Sequence, residues 1–502
     1  MVALAVLWAA VNFLAGRWSL LFASAPLFYC LYSVELGVSM ASVFMCLVGL
    51  FFMEDRGRFT NVMLWVLSFF LGLGVIHWGV LRPLGVWSPF TGVFNIMFKV
   101  HHVLRQLFPV LLLPFLFFWL VKPLLGLRFR LPELAVGEGG LDRVSMLLLA
   151  FSLYLSVYLA LYPYLPAVNP GGVDFGVDLD DYMRMFQRLE AEGGGLFGFL
   201  GDTRAFFYLV LIFFRSVTGF NLHASVRFLP VVLNPFFVAA SNYFCYEVFR
   251  NHKLSSWCAF LSCTGMTLTS ATSAYYLTNV LALGLVLFSL GLLFRALRGG
   301  GVRALAGACV LGVFLVFTHP WTMDQYLSGL ALLLGLVLYR RENGYRVVGL
   351  YLGAYFGAVG LAEACKVLFF GSLGGTGASS AVAVGLIGLD KMIHDALFAF
   401  PYVHRGALSN VVLVVLAAVG IYSYKMKDAP GRYLGFLVSL SSMVYFVSNQ
   451  SRKMRLVVNL PFGLFGALIM YAIYNRRYLS FIVFCVAYSL FYMLLSVGNL
   501  VW

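Results

Sequence analysis

The sequence predicts an all-α, polytopic helical membrane protein, and three observations carry that prediction. Apolar residues make up 62% of the 502-residue chain and charged residues 11%, against about 45–50% and about 25% in a soluble globular chain. Apolar runs recur from end to end, each close to the roughly 20 residues that cross about 30 Å of hydrocarbon. Strand-like alternation is absent, so the runs read as helices rather than barrel strands of about 10 residues. This composition excludes a water-soluble enzyme, a disordered chain and a fibrous one. The formal net charge is +14, from 34 Lys and Arg against 20 Asp and Glu. The cations sit in short turns between runs rather than in one cluster. Anionic headgroups or phosphates of membrane lipids are therefore the expected partners, and nucleic acid is not.

Runs at 2–15, 18–33, 36–53, 60–82 and 106–121 form an N-terminal membrane region, 1–142, whose role stays open. The first has no basic residues ahead of it and reads as a membrane helix rather than a cleaved signal. Runs at 143–165, 204–219, 226–249, 254–275, 276–297, 302–318, 322–339, 347–370, 405–424, 432–448, 455–474 and 478–501 form a second region, 143–502. About 13–16 of the runs are expected to span the bilayer. The eight cysteines are scattered inside apolar runs with no CxxC, as small buried hydrophobes are.

Orientation follows from Lys and Arg in short loops, which favour the cytoplasm. Arg295, Arg298 and Arg303 put that turn inside, as do Arg340, Arg341 and Arg346, then Lys425, Lys427 and Arg432, then Arg476 and Arg477. Earlier, Arg56 and Arg58, then Lys122, Arg128 and Arg130, read the same way. Alternation places the loop 166–203, the Thr318-His319-Pro320-Trp321 turn, the loop 371–404 and the turn 449–454 outside. One run spoils the alternation if it crosses. The 204–219 run is short, opens with Asp202 and Arg204 and carries Arg215 in its middle, and a charge at the bilayer centre costs a few kcal/mol. It is expected to be only partly inserted, or packed against protein.

The candidate chemistry gathers in the outer segments. Loop 166–203 holds Asp174, Asp178, Asp180, Asp181, Glu190, Glu192 and Asp202, seven of the 20 acids. From Asp180 the spacing of Tyr182, Met185, Phe186 and Leu189 makes an amphipathic helix expected in the membrane interface, with Asp181, Arg184 and Arg188 facing away. One Asp suffices to cap such a helix. Four between 174 and 181 repel each other, and the excess points to a divalent cation or to proton transfer. Arg452, Lys453 and Arg455 crowd an outer turn against the positive-inside bias, as a site for phosphate oxygens would. In the HPWT turn, punctuation and interfacial anchoring explain Pro320 and Trp321 but not His319 with Asp324; His can ligate metal, bind a sugar or shuttle a proton. Weaker candidates are the Glu363–Lys366 pair, and His394, Asp395, His404 and Arg405 in loop 371–404. His101 and His102 read as a headgroup-facing surface.

The run GVDLDDYMRMFQRLEAEGG, followed by RAFFYLVLIFFRSVTGFNLHASVRFLPVV with Thr218, Gly219, Ala224 and Arg227, resembles the start of the GT-C glycosyltransferases. The HPWT turn and the later SRKMR segment resemble archaeal members, and the resemblance covers roughly 143–475. It implies a GT-C-like fold and a polyprenyl- or dolichyl-phosphate-linked sugar donor used at the outer face of the cell membrane. On it, Asp178 is the inverting general base, with Asp180 and Asp181 as alternates. Arg452, Lys453 and Arg455 would take the lipid phosphate, and His319, with Asp324, would bind substrate or metal. A divalent cation, Mg or Mn, would be held by Asp178 and Asp180. The chain has no WWD triplet, which disfavours the oligosaccharyltransferase branch; transfer to a lipid-linked, lipid or protein acceptor fits better. A transporter or lipid-linked-glycan flippase is the rival from another class.

Overall fold

The structure is a computed structural model that describes residues 57–86, 108, 111–126, 134, 136–174, 176, 178–191, 204–341, 345–370, 410–424, 426, 428–444, 456–476 and 478–498. In chain order the helices are α1 (Gly57–Ile76), α2 (Phe118–Gly126), α3 (Arg143–Leu161), α4 (Leu179–Ala191), α5 (Ala205–Thr218) and α6 (Leu222–Phe228). There follow α7 (Pro230–Phe249), α8 (His252–Cys263), α9 (Met266–Ala274), α10 (Leu277–Arg295), α11 (Gly301–Val316) and α12 (Pro320–Arg340). The last are α13 (Tyr345–Phe370), α14 (Val411–Ser423), α15 (Ala429–Val444), α16 (Phe462–Asn475) and α17 (Leu479–Gly498). Among the described residues, sheet-type pairing is limited to the isolated bridges Leu134–Tyr424 and Gly139–Asn251.

Eight of the described segments are long and apolar enough to cross a membrane. The chain is a multi-pass helical membrane protein. One of the eight, Leu277–Val316, has 40 residues, yet its backbone leaves the helix at Arg298 and Gly299. The break makes a hairpin of α10 and α11, as the run of arginines there predicts. The expected runs at 2–15, 18–33 and 36–53, and the loop 371–404 with His394, Asp395, His404 and Arg405, lie outside the described residues. So do His101 and His102.

Contacts fix which helix ends lie together. Tyr164 after α3, Arg227 at the end of α6 and Tyr275 between α9 and α10 meet at one end of the bundle: the Arg227 guanidinium lies 4.0 Å from the Tyr164 ring, and the Tyr164 hydroxyl donates to Tyr275 at 3.0 Å. At the other end Asn251 donates to the Gly137 carbonyl, and Arg298 donates to the carbonyls of Glu247 and Val248 and to Asp428. Arg340 and Arg346 join that second end. Helix α12 starts at the loop end and runs 21 residues, about 31 Å, while α13 brings Lys366 back to the Val316 carbonyl at 2.9 Å. The described basic turns therefore share one end, the basic end. The start of the acidic loop and the His319 turn share the other, the loop end.

Helix α5 settles the disputed run. Its first turn is tied to the His319 turn, with the Phe206 amide donating to the Phe317 carbonyl at 2.8 Å. Its Arg215 pairs at 3.1 Å with Glu190 of α4, and the chain then reaches His223, 2.6 Å from Asp174. All these partners belong to the loop end, so α5 enters and leaves on one side without crossing. A 14-residue helix interrupted by Arg215 is too short and too costly to span.

Elsewhere the bundle closes through small residues and caps. A Cβ at Gly420 of α14 would run into the Phe465 carbonyl of α16, so only glycine lets those helices approach so closely. At the basic end Asp142 caps α3, accepting from the Ser145 amide at 2.8 Å and its hydroxyl at 2.6 Å, and pairs with Lys253 of α8 at 3.0 Å. The Ser145 hydroxyl and amide, then Lys253, hold the Asp142 carboxyl down at about 2.

Asp142→Ala is expected to lower stability in detergent by about 1 kcal/mol, the worth of an N-cap. A carboxyl whose folded value is depressed stabilises fully above its unfolded value and ceases to do so as pH falls through the folded one. Melting curves of wild type and variant should therefore differ above about pH 4 and converge toward about pH 2. Sidedness is checked by single cysteines: Gly172→Cys and Arg303→Cys should label with a membrane-impermeant maleimide from opposite faces, and labelling from one face would refute the two-ended arrangement.

Candidate functional site at the loop end

Loop 166–203 reaches α4 through a stretch laid across Tyr275. Gly176 has φ +104, in the region glycine favours, and a Cβ there would lie 2.6 Å from Tyr275 Cβ. Tyr275 itself holds φ 64, and its hydroxyl donates to the Arg227 carbonyl at 2.7 Å. Two residues beyond Gly176, the Asp178 amide donates to the Ala274 carbonyl at 3.2 Å, and the Asp178 carbonyl accepts from Tyr182 at 3.0 Å to start the helix. Asp178 is half-buried, whereas Asp180 and Asp181 are exposed. Asp181 pairs with Arg184 at 2.5 Å, as expected of the outward face.

The apolar stripe of α4 is present, but protein rather than lipid takes up its buried members. Tyr182 and Phe186 are buried and pack on Phe207 and Tyr208 of α5, with ring centroids 4.9 and 6.2 Å apart. The Tyr182 hydroxyl lies 3.1 Å from the Thr278 hydroxyl and accepts from the Thr278 amide at 3.3 Å. Burial raises this phenol above its ordinary value, opposed by the charge of Arg204 and reinforced by that of Asp178. The Arg204 guanidinium lies 5.5 Å from the Tyr182 ring. Arg204 and Asp178 thus share one aromatic neighbour.

From Thr278 a closed set of uncharged hydrogen bonds leads to the His319 turn. Asn279 donates to Asn459 at 2.8 Å, Asn459 donates to Thr322 at 3.3 Å and to Gln325 at 3.0 Å, and the Thr322 hydroxyl donates to Asn279 at 2.7 Å. Gln325 donates to Ser441 of α15 and to the Leu456 carbonyl, both at 2.8 Å. His319 is buried and caps α12: its Nδ1 accepts from the Thr322 amide at 3.3 Å and lies 2.9 Å from the Thr322 hydroxyl. An Nδ1 that accepts leaves the ring proton on Nε2.

Of the residues singled out in the sequence, Asp178 and His319 are linked by the path Tyr182–Thr278, Asn279, Thr322. Asp324 is exposed on the far side of the first turn of α12, within electrostatic range of Glu363 and Lys366. Lys366 is buried, its amine 5.6 Å from the Phe317 ring. Arg452, Lys453 and Arg455 lie outside the described residues; Leu456, next in the chain, is the residue Gln325 holds. Among the described residues no three His, Cys, Asp or Glu side chains come together.

Sequence reasoning missed Asn279, Gln325 and Asn459. Their signal was legible: amides inside apolar runs are costly unless paired with each other. Gly176 and Arg204 carried none. No protein-family model matches the chain, and no curated protein matches it.

Gly176→Ala should strain the backbone and push the loop off Tyr275, costing on the order of 1–3 kcal/mol. Limited proteolysis in detergent should then cut near residues 174–178 faster than in wild type; unchanged cleavage would show that the loop is held by other means.

Proposed function

We propose that the chain is a membrane glycosyltransferase that moves a sugar from a polyprenyl- or dolichyl-phosphate donor to an acceptor hydroxyl at the extracytoplasmic face, with inversion. The observation that carries this reading is the placing at one end of the bundle of a half-buried Asp178, held through its backbone, and a buried His319, whose turn is tied by hydrogen-bonded side chains to the Leu456 carbonyl. The GT-C resemblance supplies the chemistry. Asp178 accepts the acceptor's hydroxyl proton while that oxygen attacks the anomeric carbon opposite the phosphate; a positioned base of this kind contributes typically 10²–10⁴-fold. Arg452, Lys453 and Arg455 are assigned the charge that grows on the departing phosphate. Asp180 and Asp181 rank below Asp178 because both are exposed and Asp181 already pairs with Arg184.

An open cleft beside the acidic helix suits an amphiphilic substrate. Phe186, Ile212 and Phe220 line it with the Glu190–Arg215 pair, so apolar floor and ionic rim lie side by side. The rival transport reading gains nothing from the basic end, where Arg298–Asp428 and Lys253–Asp142 tie helices that alternating access would have to part.

The test is turnover of a panel of polyprenyl-phosphate sugars by purified protein in lipid nanodiscs. Wild type should transfer or hydrolyse at least one donor. Asp178→Asn should lose about 10²-fold or more in kcat while still binding that donor. Full turnover in the variant would remove Asp178 from the role of base.

A further inference from the structure

Asp174 opens the acidic segment and stands apart from the contacts that hold Asp178. Its two carboxylate oxygens face two different bases. Oδ2 lies 2.6 Å from His223 Nε2, and Oδ1 lies 3.8 Å from Arg227 Nε, too far for a hydrogen bond. Arg227 is itself braced, its guanidinium 4.0 Å from the Tyr164 ring. The Tyr164 hydroxyl donates to that of Tyr275, which donates to the Arg227 carbonyl. Behind one exposed imidazole there are thus an orienting carboxylate, a guanidinium and two tyrosines.

An exposed ion pair that merely pins a loop stabilises little and needs no such backing. The arrangement matches the way proton-transferring histidines are held: a carboxylate takes one ring N–H and leaves the other nitrogen to exchange a proton. With Nε2 turned to Asp174, the exchanging nitrogen is Nδ1, and the His223 side chain is 42% exposed. Asn221, two residues earlier, caps α6 through the Ala224 amide at 2.8 Å and lines the open cleft. His223 therefore follows, two residues on, a residue of the cleft wall.

We propose that His223, oriented by Asp174 and braced by Arg227, is the general acid of the transfer; this rests on the glycosyltransferase reading above. The new bond forms between the acceptor oxygen and the anomeric carbon, and the acceptor's proton goes to Asp178. The bond from that carbon to the phosphate oxygen breaks, its electron pair stays on the phosphate, and His223 passes its Nδ1 proton to that oxygen. Outer water then returns the proton from Asp178 to His223, so the net transfer is from acceptor hydroxyl to phosphate. Asp174 and Asp178 are four residues apart, which limits their Cα separation to about 14 Å, within the reach of a sugar phosphate bound between them. Asp174 and Arg227 are positioning residues.

His223→Ala, His223→Gln and Asp174→Asn are compared with wild type and Asp178→Asn on the active donor, with thermal unfolding recorded for each. His223→Ala should lose about 10²-fold or more in kcat with the donor KM nearly unchanged, and added imidazole should restore part of it. Asp174→Asn should fall by a similar factor without answering to imidazole, since its own imidazole is present but misdirected. Wild-type kcat in His223→Ala, or a loss that imidazole leaves untouched, would overturn the proposal. If that occurs while Asp178→Asn is inactive, the glycosyltransferase reading survives and only the acid is lost. A wild type that turns over no donor overturns both.

Discussion

A bilayer offers no water to a buried amide, hydroxyl or charge, so each must find its partner inside the protein. That requirement orders the whole molecule. Among the described residues the ion pairs collect at the two ends, and the amides and hydroxyls next to the His319 turn are joined to one another. The circuit of Asn279, Thr322, Asn459 and Gln325 is the clearest case: four residues from three parts of the chain satisfy one another. Break one member and its neighbours are left with unmet donors or acceptors where nothing can replace them.

This circuit makes the loop end a defined surface. Thr278, next to Asn279, grips Tyr182 of the acidic helix. Thr322 carries the His319 cap, and Gln325 reaches both Ser441 and Leu456. Four segments far apart in sequence are referred to one set of hydrogen bonds. A group on any one of them keeps its place relative to the others, which preorganised chemistry demands.

Much of this was legible in the residues themselves, because hydropathy and charge act over single runs. The hairpin at Arg298, the common end of the described basic turns and the failure of 204–219 to cross follow from run length and the cost of Arg215. The stripe of α4 was legible as a period, but what it faces was not. Tyr182 and Phe186 meet Phe207 and Tyr208 because α5 folds back beneath them, a long-range event that no local pattern encodes. His319 and Asp324 looked like one site in sequence. The first turn of α12 separates them, turning the imidazole into the amide circuit and the carboxyl outward. Asp174 with His223 was hidden for the same reason: 49 positions lie between them.

The return of α5 to its own side has a mechanical corollary. Helices α4, α5 and α6 occupy space at the loop end and, among the described residues, do not continue through to the basic end. Phe213 and Val217 of α5 are turned outward there, so these helices put apolar area into the lipid on the loop-end side. That contact answers to lateral pressure within one monolayer rather than to the thickness of the whole bilayer.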